Sequence, residues 1–211
     1  MPTNMRPRSL PKQAIVWRYL ADAVLEGGRT TFSQQDIAAE IGISKAHVHH
    51  ALGPLRATGA AEVRGKRLVV RDVRKILMHW AVNRRLDRDE LLRLSSDASP
   101  AETVALCPPK LAFTSFAGFV RRFEAQPAPY ASVRAYVDPA DRATMDELTR
   151  RFMAPSAGRT ATLVIHAADP QLARTLPHVV SAAQLYVDLW NESDFFAIDY
   201  LRELERRYRL G

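Results

Sequence analysis

The chain has 211 residues, enough for one large or two small domains, and its 47% hydrophobic content is sufficient for a buried core. Residues 1–90 contain 16 Lys and Arg against 9 Asp and Glu, whereas residues 91–211 contain 14 of each, so the whole net charge of +7 lies in the first part. Such a basic segment indicates a polyanion-binding module joined to a part with a different task. The single cysteine, Cys107, excludes an intrachain disulfide, and no apolar run is long enough to cross a bilayer. We therefore expect a cytoplasmic protein without a signal peptide and without a membrane partner.

The chain opens with a Pro- and Arg-rich stretch, residues 1–11, which we interpret as a flexible basic arm. Three helices are predicted after it. The first runs from Pro11 to the Gly27-Gly28 pair, the second from Ser33 to Gly42, and the third from Ser44 to Gly59, since serines cap helix starts and glycines end helices.

The second and third helices meet the requirements of a helix-turn-helix. Ala38 is the small residue that permits close packing, Gly42 tolerates the positive φ of the turn, and apolar residues occupy the crossing positions: Ile37, Ile41, Ile43, Val48 and Leu52. Two short strands follow, Ala61 to Arg64 and Leu68 to Val70, joined by the cationic turn Gly65-Lys66-Arg67. The pattern predicts a winged helix-turn-helix over residues 12–86.

In this motif the third helix enters the major groove, so its outward residues are the predicted DNA contacts. Ser44 and the neighbouring backbone N–H groups suit a phosphate, Lys45 suits guanine or phosphate, and His49 and His50 can donate to bases or phosphates. The wing adds further cations for phosphate or the minor groove. The predicted DNA-binding residues are Ser44, Lys45, Ala46, His49, His50, Arg64, Lys66 and Arg67. In the arm, Arg6 and Arg8 are candidates for a minor-groove contact.

The rest of the chain predicts an α+β domain. A fourth helix runs from about Asp72 to Leu86, and the charged, Pro-containing residues 87–111 are interpreted as a linker with room for one short helix. Residues 112–211 then form a C-terminal mixed α/β domain with a small sheet. Its predicted elements are strands at 130–137, 161–167 and 178–180 and helices at 139–152, 170–176, 182–190 and 195–208.

No catalytic, cofactor or metal site is predicted. The sequence lacks a Gly-rich phosphate loop, a nucleophile elbow and a carboxylate pair matched with a base. His47 and His50 are spaced for a common metal ion, but no Cys or carboxylate cluster nearby supplies the four ligands that zinc prefers. We therefore expect a protein that is not an enzyme.

The run from Val180 to Trp190, followed by a helix rich in Leu, Glu and Arg, resembles the AbiEi-type antitoxins of type IV toxin–antitoxin systems. The string Gln184-Leu185-Tyr186-x-Asp188-Leu189 is the sharpest element of this resemblance, which covers most of the chain. It implies a protein that binds inverted repeats in its own promoter, represses its operon and neutralises a nucleotidyltransferase-like toxin, directly or indirectly. It is compatible with a monomer or weak dimer that places two copies on each operator.

Two alternatives stay open at this stage. A one-component regulator with a small-molecule-sensing C-terminal domain predicts a sizeable pocket in residues 112–211. An enzyme fused to a DNA-binding domain requires carboxylates or histidines that converge in space.

Overall fold

The computed structural model describes residues 12–152 and 161–210, which divide into two compact units. The helical unit comprises residues 12–84, 181–191 and 201–210, and the sheet unit comprises residues 85–152, 161–180 and 192–200. The α+β fold class predicted from the sequence, with an N-terminal winged helix-turn-helix and a small C-terminal sheet, is confirmed. The basic arm, with Arg6 and Arg8, lies outside the described residues.

The helical unit contains a three-helix core and a small antiparallel sheet. Its elements are α1 (Lys12–Leu25), β1 (Thr31–Phe32), α2 (Gln34–Ile41), α3 (Lys45–Ala57), β2 (Ala61–Arg64), β3 (Arg67–Val70) and α4 (Val73–Asn83). The strands are ordered β1-β3-β2, and Leu68 and Val70 of β3 are buried. Helix α1 packs against both α3 and α4 through an almost continuous buried stretch that includes Ile15, Trp17 and Leu20.

The helical unit also contains a late part of the chain. Helix α9 (Ala182–Trp190) packs against α1 and α4, and the end of α10 (Ala197–Tyr208) belongs to the same unit. The contacts thus group residues 181–191 and 201–210 with the N-terminal helices, whereas the sequence-based boundaries assigned them to a separate C-terminal domain. The reason is the composition of α9, which is buried along its length except at Trp190 and includes the polar Gln184 and Asp188.

The sheet unit is built on four strands ordered β4-β7-β6-β5. Their bounds are β4 (Glu90–Ser96), β5 (Ala112–Thr114), β6 (Ser132–Val137) and β7 (Ala161–Ala167). Strands β6 and β7 are parallel, while the two outer pairs are antiparallel. Helices α5 (Pro100–Leu106), α6 (Ser115–Phe123), α7 (Arg142–Phe152) and α8 (Pro170–Thr175) complete this unit, which also includes a short 3-10 helix (Leu86–Asp89). One sheet face carries an apolar core that includes Val133, Leu148 and Ile165.

The linker predicted for residues 87–111 is instead regular structure. It contains β4, which pairs with β7 over most of its length, and α5, whose N-terminus is closed by a capping box between Ser99 and Glu102. The sequence did not predict β4 because its register shifts between Glu90 and Leu92, and such a bulge breaks the alternation of apolar and polar residues expected of a strand. The strand predicted at 178–180 is reduced to a single bridge between Val179 and Phe113.

Candidate nucleic-acid interface

The turn between α2 and α3 has the geometry that the sequence predicted. Gly42 adopts φ 67° and ψ 36°, a left-handed conformation that a glycine accepts without strain from a Cβ atom. Its N–H and that of Ile43 both donate to the Ala38 carbonyl, which closes the end of α2. Ser33 caps the start of α2 by accepting the N–H of Asp36. The two helices therefore begin and end at defined residues.

Helix α3 presents its first two turns to solvent. Ser44 caps the helix by accepting the N–H of His47, and Val48, Ala51 and Leu52 are buried. The five residues predicted to contact DNA from this helix are all exposed: Ser44, Lys45, Ala46, His49 and His50. The first turn contains no acidic residue, so the partial positive charge of the helix N-terminus is left for an external anion.

His47 is an exposed residue of the same turn that the sequence-based set omitted. Its Nδ1 lies 2.6 Å from the Ser44 hydroxyl oxygen. The same oxygen also accepts the His47 backbone N–H, so Ser44 holds both the backbone and the ring of His47, whose Nε2 is left for an external contact. The spacing of the sequence indicates only the His47–His50 pair, and the contact with Ser44 depends on the side-chain positions in the first turn of α3. Among the described residues, no group of three His, Cys, Asp or Glu side chains is placed to hold a metal ion.

The second half of α3 is shaped by Gly53-Pro54. Pro54 lies inside the helix and has no N–H, so the His50 carbonyl receives no α-helical hydrogen bond from it. Gly53 is partly buried, and apart from its chain neighbours and the backbone of its own helix no atom of the described residues lies within 4 Å of the position that a Cβ would occupy. The regular, outward-facing part of α3 therefore lies before this point, where the predicted contacts are located.

The wing is the hairpin between β2 and β3. Arg64 pairs with Arg67 across the strands, and the two-residue turn consists of Gly65, with φ 61°, and Lys66. Lys66 and Arg67 are exposed, and neither forms an ion pair within the described part of the chain. Arg64 is also exposed, but its guanidinium contacts the Glu62 carboxylate, which Arg71 shares at 2.5 Å. Lys66 and Arg67 are thus the wing cations that do not have to leave an ion pair to meet a phosphate.

Trp17 of α1 connects α3, the recognition helix of the motif, with the rest of the helical unit. Its indole N–H donates to the Ala51 carbonyl of α3 at 2.8 Å, and its ring meets that of His79 of α4 edge-on, with centroids 4.7 Å apart. Burial lowers the pKa of His79, which favours the neutral form of this ring. Trp17 therefore ties α1 to α3 by one directed hydrogen bond and to α4 by an aromatic contact.

The net charge differs between the two units. Residues 10–84, 181–191 and 201–211 contain 16 Lys and Arg against 9 Asp and Glu, a net charge of +7. Residues 85–180 and 192–200 contain 12 against 14, a net charge of −2. The unit that carries α3 and the wing is therefore the basic one, as a nucleic-acid-binding surface requires.

Residues 16–77 match the family model of the Crp-like helix-turn-helix domain. The chain carries a winged helix-turn-helix DNA-binding domain. The match spans α2, the turn, α3 and the wing, the parts whose geometry is described above, and it supports a role in transcription regulation. No curated protein and no solved structure matches the chain significantly. In the described residues, no helix is both long enough and apolar enough to cross a membrane.

Proposed function

We propose that this chain is an AbiEi-type antitoxin of a type IV toxin–antitoxin system. It binds inverted repeats in its own promoter with two copies per operator, represses its operon and neutralises a nucleotidyltransferase-like toxin. The observation that carries the DNA-binding part is the surface formed by the open N-terminus of α3 and a wing whose Lys66 and Arg67 form no ion pair with any described residue. The antitoxin part rests on the resemblance of the string from Gln184 to Leu189.

Promoter binding is tested by titrating the chain's own upstream DNA and a scrambled duplex. We expect Lys45→Ala to weaken the specific complex by about 5- to 150-fold if Lys45 reads a guanine, and to affect the scrambled duplex less. Lys110→Ala removes the same charge from the sheet unit and serves as the matched control. Equal losses on both duplexes would show that Lys45 contacts only phosphate, and no loss on either would contradict the proposed docking.

Toxin neutralisation is tested by co-expressing the chain with the product of its neighbouring gene. We expect that product to arrest growth when expressed alone and growth to recover when the antitoxin is present. A neighbour that is harmless, or a toxin whose effect persists, would contradict this part while leaving promoter binding intact.

A second candidate function is supported by one specific feature, a cavity of about 340 Å³ in the sheet unit. It lies where the parallel strands β6 and β7 end, a common place for ligands in sheets with parallel strands. Its lining consists of Asp138, Pro139, Ala168, Pro170, Ala173 and Arg174. In a one-component regulator, a small molecule bound here would change operator affinity, and a metabolite screen by thermal shift followed by promoter titration would reveal it.

A further inference from the structure

A buried polar network lies on α9 within the helical unit. Gln184 and Asp188, one turn apart, are 1% and 0% exposed, and the Gln184 amide donates to the Asp188 carboxylate at 2.9 Å. Arg18 of α1 donates to the Gln184 carbonyl oxygen at 3.1 Å. Arg84, just after α4, lies 3.8 Å from the Asp188 carboxylate. Two side chains of α9 thus contact both α1 and the end of α4.

The two ends of α9 are held by the same pair of helices. At its N-terminus, the N–H groups of Ala182 and Ala183 donate to the carboxylates of Glu26 and Asp22, at 2.8 and 3.1 Å. At its C-terminus, the Asn191 amide donates to the Ala81 carbonyl of α4 at 3.1 Å. Ser181 also caps α9 by accepting the Gln184 N–H, so Glu26 and Asp22 satisfy two further N–H groups of the first turn and tie α9 to the preceding helices.

These contacts also answer an electrostatic need of the N-terminal helices. Arg18 and Arg84 are only 6% and 7% exposed, and a buried guanidinium is costly unless it is paired and hydrogen-bonded. The Asp188 carboxylate and the Gln184 carbonyl oxygen supply part of that pairing. Helix α9 therefore supplies polar partners to two buried arginines of the N-terminal helices.

The network includes Arg18, the residue next to Trp17, which holds α3 by a hydrogen bond. Arg18 follows Trp17, whose indole N–H holds the Ala51 carbonyl of α3. Helix α4 directly follows the wing, because only two residues separate it from Val70 at the end of β3. A shift of α1 or α4 would therefore change the position of α3 relative to the wing.

We propose that Gln184 and Asp188 are positioning residues for DNA binding. They hold α1 and α4 against α9 so that α3 and the wing reach the duplex together. The proposal rests on the DNA-binding part of the proposed function, and it is independent of toxin neutralisation.

The test uses the full chain and the variants Gln184→Met and Asp188→Asn. The matched controls are Gln126→Met and Asp146→Asn, which make the same changes at exposed positions of the sheet unit. Affinities for the promoter and for a scrambled duplex are measured over a salt series, at a temperature where circular dichroism shows each variant fully folded. We expect about a tenfold loss on the promoter, a typical size for coupling between sites, with a smaller salt slope because fewer phosphates are contacted at once. Folded variants with wild-type affinity and slope would overturn the proposal.

A variant that does not fold is replaced by the pair Arg18→Met with Gln184→Met, which removes the donor and the acceptor of their mutual hydrogen bond together, while the Gln184 donor to Asp188 is lost in addition. We expect this pair to fold and still to bind the promoter weakly, whereas wild-type binding would overturn the proposal. If the wild-type chain binds duplex DNA without preferring its promoter, the proposed operator fails. The positioning role is then decided by the same variants on the scrambled duplex.

Discussion

At the scale of single residues, Asp22 of α1 is the carboxylate whose burial accompanies the attachment of α9. Burial is the main cause that raises the pKa of Asp22 to about 6, and the nearby Glu26 adds to it. Hydrogen bonds from Ser181 and the Ala183 N–H, together with Arg18, act in the opposite direction without cancelling the effect of burial. The charged form of the carboxylate that holds the end of α9 is therefore less stable in the folded protein than it would be in water.

We expect Asp22→Asn to increase stability at neutral pH. The pKa of Asp22 rises from 3.8 in the unfolded chain to about 6 in the folded one, so the folded state binds more protons between these values. The contribution of Asp22 to stability is consequently greatest below pH 4 and is lost as the pH rises through 6. An asparagine keeps an oxygen that accepts the Ala183 N–H and has no charge to bury, which favours the variant at pH 7.5 by about 3 kcal/mol, less the cost of replacing the oxygen that Ser181 contacts with an amide NH2 group.

Urea unfolding between pH 4 and 8 measures this difference. The gap between variant and wild type should widen across pH 4–6 and stay constant above it. A gap that is independent of pH would show that Asp22 titrates normally, and Asp36→Asn, at an exposed position of α2, controls for the loss of a charge.

At the scale of elements, the wing depends on one backbone conformation. Gly65 has φ 61°, and apart from its chain neighbours no atom of the described residues lies within 4 Å of the place where its Cβ would stand, so space does not restrict this position. The restriction comes from the left-handed conformation itself, which a β-carbon disfavours. The tight turn places Lys66 and Arg67 at the tip of the hairpin, where both side chains are exposed.

We expect Gly65→Ala to destabilise the helical unit by about 1–2 kcal/mol and to weaken DNA binding. Gly65→Asn should cost less, because asparagine tolerates the left-handed region better than alanine does. Thermal unfolding and duplex titrations of the two variants provide the comparison. An alanine variant at least as stable as the asparagine variant would contradict the role assigned to the turn.

Much of the element pattern was predictable because it depends on local signals. Gly42 and Ser44 mark their helix ends by conformation and capping, and β2 and β7 have the predicted limits. Strand β4 was not predictable, because its bulge and its mixture of Leu, Arg and Ser remove the alternation, and its partner β7 lies about seventy residues later. Pairing with a distant strand, not local propensity, makes this segment a strand.

At the scale of the whole molecule, the two units are discontinuous in sequence. The chain leaves the helical unit after Arg84, returns for residues 181–191 and returns again at Leu201. Sequence reasoning could not foresee this, because Gln184 and Asp188 look like solvent-facing residues of an amphipathic helix. Their partner Arg18 is 166 positions from Gln184. The same string that suggested the family resemblance proves to be a buried structural element of the DNA-binding unit.

A fragment ending at residue 86 should therefore not behave as an independent domain. It retains the matched residues 16–77 but loses α9, which leaves Arg18 and Arg84 without Gln184 and Asp188 and exposes the apolar faces of α1 and α4. We expect a broad unfolding transition in place of the cooperative transition of the full chain. A fragment as stable as the full chain would show that α9 is dispensable for folding.

The central claim is that the helical unit binds duplex DNA through α3 and the wing. It is tested most directly by the salt dependence of binding to the chain's own upstream DNA, for the wild type and for the double variant Lys66→Ala with Arg67→Ala. Each phosphate contact contributes about 0.9 to the slope of log K against log salt, so we predict a slope smaller by about 2. The loss of affinity should be similar on promoter and scrambled duplexes, and Arg85→Ala with Arg88→Ala should leave the slope unchanged. Unchanged affinity and slope in the wing variant would contradict the account.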